Sequence, residues 1–147
     1  MKRDEMLRLQ RDASEEHGHL RKLFQQASDY LSRRQASRAQ LTETLVELRR
    51  ELLDHFQHEE SGGYFREVVS IAPRLKSRAD ALLAQHLDLK ARLDRLQSLA
   101  QQDEQNESWW QEITAEFGGF LREFDEHERG ETALLQEAYT RDIGTDD

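Results

Sequence analysis

The spacing of apolar residues is the feature that most constrains this chain. Along four long stretches, apolar side chains recur at alternating intervals of three and four residues. Residues three and four apart lie on one face of an α-helix, so each stretch predicts a long helix with one buried face. The four predicted faces span residues 9–31, 41–59, 75–96 and 113–138.

The residue types agree with this spacing. The chain has 21 Leu but only three Val, three Ile and one Pro. Strands favour β-branched residues, whereas Leu is a strong helix former, so we expect an all-α protein. Four helices of roughly 25–32 residues with short connections predict an up-down-up-down antiparallel four-helix bundle.

Turn and cap signals predict where these helices begin and end. The second apolar face stops at residues 61–63, and Pro73 suits the first turn of the third helix after a short segment over residues 64–71. Ser108 and Gln111 have the spacing of a capping box and predict the start of the fourth helix.

Length and composition exclude several classes of protein. The 147 residues fit one domain over residues 1–147, with residues 141–147 as a loose C-terminal tail. No apolar run is long enough for a transmembrane helix or a signal peptide, so we expect a cytoplasmic protein that does not contact membranes. The absence of Cys excludes disulfides and thiolate metal ligands. The net charge is −9 and no dense Lys/Arg cluster occurs, so nucleic acid is not an expected partner.

Polar residues interrupt the four apolar faces in a regular way. Each face carries one histidine, and two of these histidines are followed four residues later by a glutamate on the same face. The six residues are His17, His55, Glu59, His86, His127 and Glu131. Burying such groups without partners costs roughly a few kcal/mol per imidazole and more per carboxylate. Because a cation binds the imidazole lone pairs and neutralises the carboxylates, we predict a metal site in the core. The alternative is a set of core histidines that are hydrogen-bonded to neighbouring carboxylates.

The two remaining histidines serve as internal controls for this interpretation. His19 follows His17 by two residues, about 200° around the helix, and is predicted to face solvent. His58 follows His55 by three residues and lies at the edge of the apolar face. We expect it at the rim of the bundle, with support of a metal ligand as the alternative.

The donor types narrow the choice of metal. Imidazole and carboxylate ligands suit Fe, Mn, Zn or Cu, and the lack of thiolate argues against structural zinc or iron–sulfur sites. Two carboxylates among four histidines fit two cations better than one tetrahedral zinc. Ferritin-like di-iron bundles use two Glu-x-x-His pairs, and only Glu16 and His19 have that spacing here.

These motifs resemble those of the hemerythrin-like (HHE cation-binding) family over about residues 9–140. The segments that carry the resemblance are Glu16–Arg21, His55–Glu60, Gln85–Leu87 and His127–Glu131. The resemblance implies that the six residues bind two non-haem iron ions, with an oxo or hydroxo bridge between them. The oxygen-carrying members have one more histidine, and the corresponding position here is Lys90, so simple reversible O₂ carriage is in doubt.

The resemblance also implies a function. We expect a di-iron protein that binds O₂ or a related small ligand such as peroxide or NO, for sensing, storage or protection. An iron-responsive protein whose folding depends on metal is the alternative. A di-iron oxidase or peroxidase is a third possibility, which we rank below these because the sequence offers no substrate pocket or reductase domain. No protein partner follows from the sequence.

Overall fold

A computed structural model describes the backbone of residues 2–34, 38–61 and 63–141, and the side chains of residues 18–34, 38–61, 63 and 65–140. The described residues are almost entirely helical and include no strand. The helices are α1 (Lys2–Arg33), α2 (Arg38–Ser61), α3 (Tyr64–Ile71), α4 (Lys76–Ala100) and α5 (Glu107–Gln136). A 3₁₀ turn at Pro73–Leu75 leads into α4, and a π-helical turn at Glu137–Arg141 follows α5.

The four long helices form a closed bundle in which each packs against two neighbours. The packed pairs are α1 with α2, α2 with α4, α4 with α5 and α5 with α1. Polar contacts show that α2 runs antiparallel to α4, and that α5 runs antiparallel to both α4 and α1. Arg49 of α2 contacts Asp94 at 2.8 Å, whereas Arg38, earlier in α2, contacts Asp103 beyond the end of α4 at 3.4 Å. The predicted all-α bundle is therefore confirmed.

Most predicted helix boundaries agree with the structure, but the cap of the last helix does not. The segment over residues 64–71 forms α3, and Pro73 begins the turn into α4. The predicted capping box of Ser108 and Gln111 is wrong, because the N-cap of α5 is Asn106, whose side-chain oxygen accepts a hydrogen bond from the Trp109 N–H at 3.0 Å. Asn is as good an N-cap as Ser, and the helix begins two residues earlier than the box predicts.

The apolar interior consists of two clusters. The larger cluster contains residues from all four long helices, including Leu20, Leu48, Leu93 and Phe120. The smaller cluster is formed by α3, the start of α4 and the chain after residue 133 of α5. Along α4 and α5, the buried polar residues His86, His127, Glu128 and Glu131 lie between the stretches that contribute to these two clusters.

One glycine marks a close approach of two helices beside this polar layer. A Cβ atom placed on Gly130 of α5 would lie 2.7 Å from Leu82 Cδ2 of α4. Glycine in a helix costs about 0.5–1 kcal/mol relative to alanine, so its presence needs a compensating gain. Here the missing side chain lets Leu82 pack directly on the α5 backbone.

Part of the predicted organisation lies outside the described residues. Residues 142–147, which form most of the predicted tail, are among them. No helix of the described chain is long and apolar enough to cross a membrane.

Candidate metal centre

Three helices bring four of the six predicted residues into one buried group. Glu59 comes from α2, His86 from α4, and both His127 and Glu131 from α5. One donor atom from each residue lies within 4.8 Å of the others, and all four side chains are buried. The antiparallel packing of α2, α4 and α5 therefore converges donors that are far apart in sequence.

His55, the fifth predicted residue, adjoins this group on α2. It lies one turn before Glu59, on the same helix face, and is only 4% exposed. Its Nε2 atom is 2.9 Å from Glu59 Oε1. His55 and Glu59 thus face the interior together, as the spacing predicts.

The sixth predicted residue, His17, lies in the part of α1 whose side chains are outside the described residues. Its backbone belongs to α1. Its role as a metal ligand stays a prediction.

The imidazoles in the group point their Nε2 atoms at carboxylate oxygens. His86 Nε2 lies 3.6 Å from Glu59 Oε1, and His127 Nε2 is in contact with Glu131 Oε1. The rings of His86 and His127 are 4.9 Å apart, at an angle of 66°. Each imidazole nitrogen of the group therefore lies beside a carboxylate oxygen.

An aromatic ring forms one wall of the centre. Phe56 stacks on His86 with a ring-centroid distance of 3.9 Å and an interplanar angle of 10°. It also lies edge-on to His127 at 5.8 Å. Because Phe56 is buried in the larger apolar cluster, it restricts the orientation of His86 and excludes water from that side.

The nitrogen donors keep Glu59 ionised. Burial raises the pKa of this carboxyl, but contacts with neighbouring groups, first of all the hydrogen bond with His55, outweigh burial and lower the pKa below its ordinary value. Contact with Glu131 acts in the same direction. An ionised carboxylate inside an apolar bundle is an effective ligand for a cation.

Within the described chain, two donor atoms of the group without hydrogen-bond partners are suited to bind a metal ion. Glu59 Oε2 and His86 Nε2 are buried atoms that have no hydrogen-bond partner among the described residues. Leaving a buried polar atom unpaired costs about 1–3 kcal/mol, and more for a charged group. Both atoms are acceptors of the kind that Fe, Mn, Zn and Cu bind, so a cation would satisfy them together.

The two control histidines lie outside the buried group. His19 is exposed and its Nε2 lies 3.2 Å from Glu51 Oε1 on the surface, so its predicted outward orientation is confirmed. His58 is exposed at the rim, where it lines a cavity of about 150 Å³ together with His55. Lys90 is also exposed.

Three residues that contact the donors were not identified from the sequence. Glu60 and Gln85 make hydrogen bonds to the outer nitrogens of two histidines, and Phe56 covers one ring. Glu60 and Gln85 lie off the apolar faces, so hydrophobic periodicity gives no signal for them. The only available signal is that each is next to a predicted ligand in sequence.

The fold and the buried donors together define a helical-bundle protein with a site suited to a cation. The chain matches the family model described as the hemerythrin HHE cation binding domain over residues 10–139. It therefore belongs to this family, and the resemblance noted from its motifs is confirmed. Comparison with curated proteins and with solved structures gave no match.

Proposed function

We propose that this protein binds two non-haem iron ions and, through them, O₂ or a related small ligand such as peroxide or NO. The role would be sensing, storage or protection. The proposed ligands are His17, His55, Glu59, His86, His127 and Glu131. The family supports cation binding, and the identity and number of the ions are the proposal.

The position of Glu59 between two sets of nitrogen donors is the observation that favours two cations. Its Oε1 atom has His55 Nε2 on one side at 2.9 Å and His86 Nε2 on another at 3.6 Å. A carboxylate flanked by imidazoles in this way is suited to ligate two ions at once. A single tetrahedral zinc would not use all the donors that α2, α4 and α5 supply.

The ligand set favours iron and small exogenous ligands. When bound, iron with imidazole and carboxylate ligands supplies redox chemistry and open coordination positions for O₂, peroxide or NO. The chain itself supplies a dry environment, because apolar clusters lie on both sides of the polar layer. Lys90 is exposed and lies where oxygen-carrying relatives have a further histidine, which supports a role other than simple O₂ carriage.

Metal content is the first experiment. We expect about two Fe per chain by elemental analysis, because the proposed ligands fit two cations better than one. His86→Ala should lose metal, whereas His19→Ala should retain it, because His19 is exposed and outside the group. One Zn per chain, or equal metal loss in both variants, would contradict the proposal.

Visible spectroscopy tests the small-ligand part. In aerobic iron-loaded protein, azide or peroxide should change the charge-transfer bands, because these ligands reach the iron. Unchanged spectra would refute small-ligand binding while leaving iron binding intact.

The buried polar layer also favours a second candidate, an iron-responsive protein whose folding depends on metal. Glu59 and Glu131 are both at least 94% buried. Burying an ionised carboxylate lowers the stability of the fold by on the order of several kcal/mol unless opposite charge and hydrogen bonds compensate it. Metal binding would then stabilise the fold strongly. A melting temperature that depends steeply on iron, together with unchanged spectra in azide, would favour this candidate.

A further inference from the structure

We propose that Glu60 and Gln85 are positioning residues that hold His86 and His127 with Nε2 directed into the centre. Each accepts a hydrogen bond from the outer ring nitrogen of its histidine. The inference rests on the proposed metal-binding role of these histidines, but its decisive test uses metal-free protein.

The contact between Glu60 and His86 fixes the tautomer of His86. Glu60 Oε1 lies 2.9 Å from His86 Nδ1. An ionised carboxylate accepts hydrogen bonds and donates none, so Nδ1 of a neutral imidazole must carry the proton. Nε2 then has a bare lone pair, and this is the buried atom that faces Glu59 at 3.6 Å.

The contact between Gln85 and His127 does the same on α5. Gln85 Oε1 lies 2.7 Å from His127 Nδ1. The amide oxygen accepts the Nδ1–H, so Nε2 is the ring nitrogen that faces Glu131 and the centre. Ligating histidines in metalloproteins use their second nitrogen in this way, and loss of the partner typically weakens metal binding about 10–100-fold.

The two partners are arranged in a relay around the bundle. Glu60 follows Glu59 on α2 and orients His86 of α4, and Gln85 precedes His86 on α4 and orients His127 of α5. Helix α2 thus supplies a donor and also orients the donor of α4. Helix α4 does the same for α5. A rotation of α4 would therefore disturb two imidazoles, which makes the geometry of the centre depend on the register of three helices.

The partners differ in chemistry. Glu60 is a carboxylate, whereas Gln85 is a neutral amide, and both lie on the exposed side of the bundle. Water competes for exposed hydrogen bonds, so we expect losses near the lower end of the range, about tenfold for each alanine variant.

Nitrogen NMR of the imidazoles in metal-free protein at mildly alkaline pH is the decisive test. In the wild-type protein, Nδ1 of both His86 and His127 should carry a proton. Glu60→Ala should shift His86 toward a mixture of tautomers and leave His127 unchanged, and Gln85→Ala should do the reverse. Glu60→Gln should retain the wild-type tautomer, since its amide oxygen still accepts the hydrogen bond.

Matched controls are available on the same helices. Glu43→Ala on α2 and Gln97→Ala on α4 remove the same side-chain types away from the centre and should leave both tautomers unchanged. Unchanged tautomers in Glu60→Ala and Gln85→Ala would overturn the proposal. So would an equal change in the control variants.

Cobalt(II) affinity, measured by competition with a chelator, provides the second readout. We expect about tenfold weaker binding for Glu60→Ala and for Gln85→Ala, and no change for Glu60→Gln or the controls. If wild-type protein takes up neither cobalt nor iron while the tautomers shift as expected, the proposed function fails and the positioning role stands. Tautomer shifts without any loss of affinity in a metal-binding wild type would refute the positioning of metal ligands.

Discussion

Phe56 offers a direct test of whether packing against a histidine ring prepares the centre for metal. The ring is 3% exposed and stacks on His86 at 3.9 Å. In Phe56→Leu, the lost apolar burial costs about 1 kcal/mol, and the lost ring stacking adds about 0.5–1.5 kcal/mol. We therefore expect the free energy of unfolding to fall by about 2 kcal/mol, which lowers the melting temperature by about 4–8 °C in a chain of this size.

The same substitution should also weaken metal binding. Without the stacked ring, the His86 side chain can rotate, and ordering it again on binding costs about 0.5–1.5 kcal/mol. Because 1.4 kcal/mol corresponds to tenfold in affinity, we expect up to about a tenfold loss of cobalt(II) affinity.

Phe120→Leu is the matched control. Phe120 is fully buried in the same apolar cluster and packs edge-on against Phe24 at 5.7 Å, but it has no ring contact with the histidines of the centre among those described. Chemical denaturation in the presence of a chelator should show a similar loss of stability for both variants. Cobalt(II) titration should show weaker binding for Phe56→Leu alone. Equal affinities in the two variants would refute the argument that stacking prepares His86.

Three further predictions concern the scaffold. Asn106→Ala should lower the free energy of unfolding by about 1 kcal/mol in urea denaturation, because α5 loses its cap. Arg78 lowers the pKa of Glu137 below its ordinary 4.5, so the pair stabilises the fold above that pH and this contribution is lost as the pH falls. In Glu137→Gln, the free energy of unfolding should therefore decrease less steeply as the pH is lowered below 4.5. An unchanged dependence on pH would contradict this. Gly18→Ala should raise the melting temperature through a gain of about 0.5–1 kcal/mol, since a Cβ there meets no atom of the described residues within 4 Å. Gly130→Ala should show a smaller gain or a loss, because its Cβ would lie 2.7 Å from a side chain.

Five of the six residues predicted as ligands are buried in the structure, because candidate ligands and core residues share one helical periodicity in the sequence. His55 and Glu59 are four residues apart on an apolar face, and so are His127 and Glu131. Once the helices are known, both pairs must point inward. His86 could be identified in the same way, since it interrupts the apolar face of α4.

Features that depend on local competition were harder to predict. Asn106 and Ser108 are both good N-caps, and spacing alone selected the wrong one. The hydrogen bond that decides between them, from the Trp109 backbone N–H to the Asn106 side chain, forms only when the chain turns into α5. Boundaries of this kind are settled by one or two residues, whereas a long helix is supported by every residue along its face.

The amino-acid sequence by itself determined that four long helices form and that histidines and glutamates lie on their buried faces. This is so because the spacing of residues along a helix fixes the direction in which each side chain points. Only the tertiary structure decided which donors meet and which residues hold them. Glu60 reaches His86 and Gln85 reaches His127 across helix interfaces, and these contacts depend on the register in which antiparallel helices pack. That register is set by the fit of side chains such as Leu82 against Gly130, a property of two helices together that neither segment contains alone.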